Sequence, residues 1–171
     1  MSEAAAPVRL VLRAQSGDRD AFDALLRELG PPLLRYIARV TADVALAEDV
    51  VQETFITIVR KIRWLNDPSL FRPWAYRIAS REAFRALRKR RRLIAEPLGE
   101  IAIDTIPSDP WQREQLLASL ERLSPASRAV LTLHYLEDLP LSEVAAVLDL
   151  NLGTVKSRLA YGLAQLRKEN A

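Results

Sequence analysis

Apolar residues recur along this chain at intervals of three and four, and no stretch alternates with a period of two. The pattern predicts an all-α protein made of short amphipathic helices. Val8 to Ser16 has helical spacing after Pro7, and Gly17 ends it. Asp18 or Asp20 can cap a second helix carrying Phe22, Leu25, Leu26 and Leu29, stopped by Gly30. Pro31 and Pro32 then open a short third helix through Leu33, Leu34, Ile37 and Val40, because the N–H groups of a first turn lack intrahelical partners anyway. Asp43 is the expected N-cap of a long helix to about Ile62, with Val44, Leu46, Ala47, Val50, Val51, Phe55, Ile58 and Val59 on one broad face. After a turn-rich loop at 65–70, Ser69 is expected to cap a helix reaching about Arg92, with Pro73 in its first turn and Trp74, Ile78, Phe84 and Leu87 turned inward.

Residues 93–112 break the pattern. They hold Pro97, Gly99, Pro107 and Pro110 and no cation, and they read as a flexible linker. The expected architecture is therefore two small helical domains, residues 1–92 and 113–171. In the second, Asp109 or Pro110 begins a helix through Leu116, Leu117 and Leu120, and Ser124-Pro125 begins another through Val130, Leu131, Leu133 and Leu136. The chain then closes on a helix pair: LSEVAAVLDL, the turn NLG, and TVKSRLAYGLAQLRK. Ala145 falls where the two helices cross, Asp149 falls where the first ends in a left-handed turn, and Asn151 is a good cap for the second. Gly153 lets that helix N-terminus approach a phosphate. Val155, Leu159, Leu163 and Leu166 face inward, which leaves Thr154, Lys156, Ser157 and Arg158 in the first turns to meet an outside partner. Hydroxyls and cations on a braced surface helix are how side chains are offered to a DNA major groove. An ordinary helical hairpin with a solvated face has the same apolar spacing.

Charge sharpens this picture. The net charge of +3 over 171 residues conceals a basic first part, with 18 Lys/Arg against 11 Asp/Glu in residues 1–92. The connector holds four acids and no base, and residues 113–171 are balanced at seven of each. A basic half suits an anionic partner. The absence of cysteine and the single histidine, His134, exclude disulfides, zinc fingers and thiol chemistry. There is no Ser/His/Asp set, no clustered metal ligands and no phosphate-binding glycine loop, so neither an enzyme nor a cofactor is expected. No apolar run is long enough to span a bilayer, and MSEAAAP has no basic segment leading into an apolar one, so a cytoplasmic protein without membrane insertion is expected.

Two further clusters carry chemistry. Arg81, Arg85, Arg88, Lys89, Arg90, Arg91 and Arg92 crowd the end of the helix that follows Trp64, Phe71, Trp74 and Tyr76. Cations hold phosphates and aromatic rings stack on opened bases. The bland account is a solvated helix end with core aromatics. In AEDVVQETF, the residues Asp49, Gln52 and Glu53 share one polar stripe, which is either solvated or docks a basic protein surface.

Taken together, these segments resemble a bacterial RNA polymerase sigma factor of the extracytoplasmic-function type. AEDVVQETFITIVRKI and FRPWAYRIASREAFRALRKRRR resemble the family's region 2, and LSPASRAVLTLHYLEDLPLSEVAAVLDLNLGTVKSRL resembles its region 4. The resemblance implies that Asp49, Gln52 and Glu53 dock on the β′ clamp helices of core RNA polymerase, with the β flap as a second contact. It implies that Asn66, Ser69 and Trp74 help hold a melted −10 element, with Arg77, Arg81, Arg85 and Arg88 on its phosphates. Thr154, Lys156, Ser157 and Arg158 would read the −35 element, and the acidic linker would run through the RNA exit path. An anti-sigma factor is an implied partner.

Three departures stand out. Arg81 and Arg85 occupy positions where members often have Asn and Asp. Ala160, Tyr161, Gly162 and Leu163 replace a stretch in which two cations are expected, and a helical glycine costs about 1 kcal/mol relative to alanine. Pro140 replaces a Ser-type cap. The rival readings are a helix-turn-helix regulator that needs no polymerase, a sigma-like decoy for an anti-sigma factor and, weakest, a helical scaffold that binds no DNA.

Overall fold

The computed structural model describes residues 5–93 and 120–169, with side chains described over 7–90 and 120–166. The expected linker and the helix beginning at Asp109 or Pro110 lie almost wholly outside those residues. Leu120 opens a short 3-10 turn that ends at Arg122.

The described residues form seven α-helices and no strand. In the N-terminal unit these are α1 (Ala5–Gln15), α2 (Arg19–Thr41), α3 (Val44–Lys61) and α4 (Phe71–Leu93). In the C-terminal unit they are α5 (Pro125–Leu131), α6 (Leu141–Leu148) and α7 (Leu152–Glu169). None is long and apolar enough to cross a membrane.

Local chemistry explains most boundaries. Asp18 and Asp43 adopt extended backbone and accept the N–H of Ala21 and Leu46 at 3.1 and 3.0 Å, which caps α2 and α3. Gly17, at φ +95°, separates α1 from α2. Ser124 caps α5 with Pro125 at its first position. Asn151 accepts the Thr154 N–H at 2.7 Å, and Asp149 ends α6 in the left-handed region at φ 59°, ψ 44°.

Gly30 does not stop a helix: α2 runs unbroken through Gly30, Pro31 and Pro32. An interior proline costs about 3 kcal/mol. Burial of Leu25 and Leu29 on one side, and of Leu33, Tyr36, Ile37 and Val40 on the other, outweighs that cost at about 1.5–3 kcal/mol for each large apolar side chain. Gly30 itself faces Phe55, where an added Cβ would lie 3.4 Å from the ring.

Ser69 does not cap α4. Its backbone N–H and its hydroxyl both donate to Asp67, which caps the turn Pro68–Leu70, and α4 follows directly at Phe71. The buried stripe of α4 is Phe71, Ala75, Tyr76, Ala79, Ser80 and Ala83, while Trp74, Ile78, Phe84 and Leu87 flank it half-buried. On α3 the apolar face is narrower than its spacing suggests, since Val44 and Val59 are 64% and 52% exposed.

The C-terminal unit packs α5 and α6 on α7, whose Val155, Leu159, Leu163 and Leu166 are buried as expected. Gly162 lies at a close crossing: a Cβ there would stand 2.7 Å from Leu131 Cδ1. The residue that weakens α7 as an isolated helix is the one that lets it approach α5. His134 lies in a π-helical turn, Thr132–Leu136, that extends α5, and its Nδ1–H donates to the Leu139 carbonyl at 2.9 Å.

The two units pack against each other, α6 on α4 and α5 on α2, and their buried apolar residues form one continuous cluster. Two buried charges cross this seam. Arg128 donates to the Val40 carbonyl at the end of α2 and to the Glu121 carbonyl, both at 3.1 Å. Glu137 accepts the Tyr76 hydroxyl at 2.5 Å and the Arg72 guanidinium at 2.9 Å.

Candidate nucleic-acid and partner interfaces

Three groups of side chains were expected to act, and each has its own setting. The first is the outer face of α3. Asp49, Gln52 and Glu53 are all exposed there, one turn apart, as their spacing requires. Ile56 continues the same stripe and is 42% exposed, although it is apolar. It is absent from the acidic motif, yet its position three residues after Glu53 places it on that face. The stripe thus combines carboxylates with a solvent-facing aliphatic side chain, and its negative charge does not suit a phosphate backbone.

The second group surrounds the loop before α4 and the outer face of that helix. The Gln15 side chain of α1 donates to the carbonyls of Ile62 and Leu65 at 2.9 and 2.7 Å and pins the start of the loop. Asn66 and Ser69 are exposed. The Ser69 hydroxyl and N–H hold the Asp67 carboxyl below the usual carboxylate range. Of the aromatics near this loop, Phe71 and Tyr76 are buried and unavailable for stacking, and Trp74 is half-buried with its ring 6.1 Å from that of Phe71. Trp64, at 68% exposed, is the ring that faces solvent beside Asn66. The exposed tryptophan could not be told from the packed ones by spacing, because it ends a single 3-10 turn, Ile62–Trp64, too short to carry a periodic pattern.

Arg77, Arg81, Arg85 and Arg88 line one face of α4 at intervals of four, four and three. Arg88 is exposed, and Arg85 pairs with Glu82 on the same helix at 2.5 Å. Arg77 and Arg81 reach across the seam instead. Their guanidinium groups meet the two carboxylate oxygens of Asp149 at 3.2 and 3.1 Å. Arg77 Nε is buried without a hydrogen-bond partner. Farther along α4, Arg90 pairs with Asp43, whose carboxyl is held low first by the Leu46 N–H and then by Arg90.

A buried polar network stands behind this cationic face. The Tyr36 hydroxyl donates to Ser80 Oγ, which donates to the Tyr76 carbonyl, each at 2.7 Å. Burial, the hydrogen bond to Glu137 and that residue's charge all push the Tyr76 hydroxyl up from its ordinary value, so it is a neutral donor at physiological pH. Arg72 lies 5.6 Å from the centre of the Tyr76 ring, so one cation serves both the ring and the Glu137 carboxylate.

The third group is the start of α7. Lys156 is exposed, whereas Thr154, Ser157 and Arg158 are half-buried. Asn151, Leu152 and Gly153 leave the helix N-terminus open to solvent. Ala160 is buried, so its lack of charge is a packing requirement at that position.

Residues 25–93 match the family model for Sigma-70 region 2, and residues 113–166 match that for Sigma-70 region 4. The chain is 33% identical to the ECF RNA polymerase sigma factor SigE of Mycolicibacterium smegmatis over 89% of its length, and it spans 63% of that protein. It is 30% identical to the RNA polymerase sigma factor CarQ of Myxococcus xanthus, covering 91% of this chain and 92% of CarQ. Among solved structures, CnrH in complex with the cytosolic domain of CnrY has the same fold, with a TM-score of 0.71 over 96% of this chain and 97% of CnrH, at 24% identity.

Proposed function

Because this chain belongs to the sigma-70 family, among its extracytoplasmic-function sigma factors, we propose that it binds core RNA polymerase in the cytoplasm and directs initiation at promoters with two recognised elements. The observation that carries the reading is the pairing of opposite chemistries on neighbouring helices of one small bundle. α3 turns carboxylates outward, and α4 carries a row of arginines behind an exposed loop, with Arg85 and Arg88 facing solvent and Arg77 and Arg81 paired with Asp149. One face suits a basic protein surface and the other suits a nucleic-acid backbone.

In this reading residues 1–92 and 113–171 work as separate modules, joined by the acidic connector 93–112. Asp49, Gln52 and Glu53 meet the β′ clamp helices, and the C-terminal unit meets the β flap. Asn66, Ser69 and Trp74 help hold the opened −10 strand, and Arg77, Arg81, Arg85 and Arg88 take its phosphates. Thr154, Lys156, Ser157 and Arg158 address the −35 element, where Lys and Arg favour guanine edges. The bond chemistry belongs to the polymerase. An anti-sigma factor is the expected regulator, as the complex of the sigma factor RpoE with the anti-sigma factor NepR from Bartonella quintana illustrates for that protein.

In vitro transcription with purified core polymerase and a promoter library tests this. Addition of the chain should redirect start sites to a defined promoter class, and the chain should co-purify with core. A protein that footprints duplex DNA alone and ignores core is a regulator of another kind. One that binds an anti-sigma factor but never redirects initiation is a decoy.

A further inference from the structure

We propose that Gln15 is a positioning residue for single-strand binding: from α1 it fixes the turn at residues 62–65, and that turn holds Trp64 outward as a ring on which a base of the opened strand stacks. The inference deepens the reading of the loop before α4 as part of the single-strand site, and it rests on that reading.

Trp64 is the most exposed large apolar side chain among the described residues, at 68%. The residues around it explain why it stays outside. Ile62 opens the 3-10 turn and Leu65 follows it, and both are buried. The Leu65 N–H donates to the Ile62 carbonyl at 3.1 Å and closes the turn. With both ends anchored inward, Arg63 and Trp64 between them face solvent. Lys61 is exposed as well, so two cations stand beside the ring in the chain. An exposed ring among cations suits a single strand, because bases stack on the ring and cations attract the phosphates. Asn66, expected on the opened strand, follows two residues later and is also exposed.

The turn is tied to α1 through one side chain. Gln15 is half-buried where α1 packs on this loop. Its Nε2 donates to the Ile62 carbonyl at 2.9 Å and to the Leu65 carbonyl at 2.7 Å. Those two carbonyls bracket Arg63 and Trp64. A side-chain amide carries two N–H donors in one plane, so it holds both carbonyls at once and sets their spacing. Without this tie the ring samples more positions, and ordering it on binding lowers affinity. The region 2 match begins at residue 25, so the tie brings an element from before that match into the single-strand site.

The positioning is tested in the free chain. Fluorotryptophan gives each of the three tryptophans a fluorine NMR signal, and that of Trp64 is identified by its loss in Trp64→Ala. Gln15→Met keeps the length of the side chain and removes both donors. It should shift or broaden the Trp64 signal and leave that of Trp74 in place. An unmoved Trp64 signal overturns the proposal. If the Trp74 signal moves too, Gln15→Lys decides, since it keeps donors for both carbonyls. A Trp64 signal like the parent's in that variant supports the tie, and one displaced as in Gln15→Met overturns it.

The consequence is tested on the complex with core RNA polymerase. The probe is a fluorescent single strand of about 12 nucleotides from a promoter recovered in the library assay. Gln15→Met should weaken its binding by about 5-fold with an unchanged salt slope, because no phosphate contact is lost. On a Trp64→Ala background the same substitution should change affinity by less than about 2-fold, because its effect passes through the ring. A full loss on that background, a flattened salt slope, or equal binding by parent and Gln15→Met overturns the proposal. Start-site selection by the unaltered chain is scored separately. If the chain binds core and redirects initiation while Gln15→Met holds the strand as well as the parent, the sigma-factor reading stands and only the role of Gln15 falls. A chain that ignores core removes both.

Discussion

The outer faces of α3 and α4 belong to the same bundle but meet different surroundings. Asp49, Gln52, Glu53 and Ile56 on α3 face solvent. On α4, Arg77 and Arg81 face the C-terminal unit and are held by Asp149. The first face is open along its length, whereas two of the four arginines of the second are tied to the C-terminal unit and only Arg85 and Arg88 are left clear of it.

Charge reversal on the open face should break the contrast most completely. Asp49→Arg is expected to weaken core association by about 100-fold or more, since like charges across a docking surface cost several kcal/mol. Retention of core in a pull-down by this variant would remove α3 from the interface.

Next in size is Lys156→Ala with Arg158→Ala. Each good base contact is worth about 1–3 kcal/mol, so losing two should lower promoter-specific transcription by about 30-fold or more. Core binding should be unaffected. If both activities fall together, α7 is structural and does not read DNA.

Trp64→Ala separates function from stability along the loop. Trp64 is 68% exposed, so its loss should change stability by no more than about 0.5 kcal/mol. If it stacks on an opened base, affinity for the single strand should fall by about 5- to 150-fold, corresponding to about 1–3 kcal/mol. Phe71→Ala is the contrasting case. That ring is buried, and its removal should cost about 3–5 kcal/mol in a thermal or denaturant melt.

The smallest expected effect separates the two units by their caps. Asp18, Asp43 and Asp67 in the N-terminal unit all have carboxyls held below their ordinary 3.8, chiefly by hydrogen bonds from the backbone or from Ser69. A carboxyl lowered by folding contributes stability above its unfolded value, and that contribution is lost as pH falls through the folded value. Melts taken from pH 5 downward should therefore show destabilisation beginning near pH 4, with Asp43→Asn reducing the slope. Ser124 and Asn151, the caps of the C-terminal unit, carry no such dependence. An Asp43→Asn slope equal to that of the parent would contradict this assignment.

Much of the fold was legible because local rules and packing agree. Asp43, Ser124, Asn151 and the left-handed Asp149 are all where cap chemistry places them. Local rules failed where tertiary burial overrode them. Gly30-Pro31-Pro32 reads as a break, yet large apolar residues on both sides carry α2 through it. Gly162 reads as a weak point in a helix, yet it is the crossing with Leu131. The site residues were legible as types and spacings on single helices. The seam was not, because residues 61 and 65 positions apart, such as Tyr76 or Arg72 and Glu137, leave no periodic trace in one sequence. Asp149 carried a readable signal as a helix end, and its second role as a partner of Arg77 and Arg81 depends entirely on how the units pack.

The most direct test adds the purified chain to core RNA polymerase on a promoter library and maps where RNA begins. Start sites redirected to a defined promoter class, with the chain retained on core, are the predicted result. A chain that stays off core, or that leaves the start sites where they were, would contradict the account.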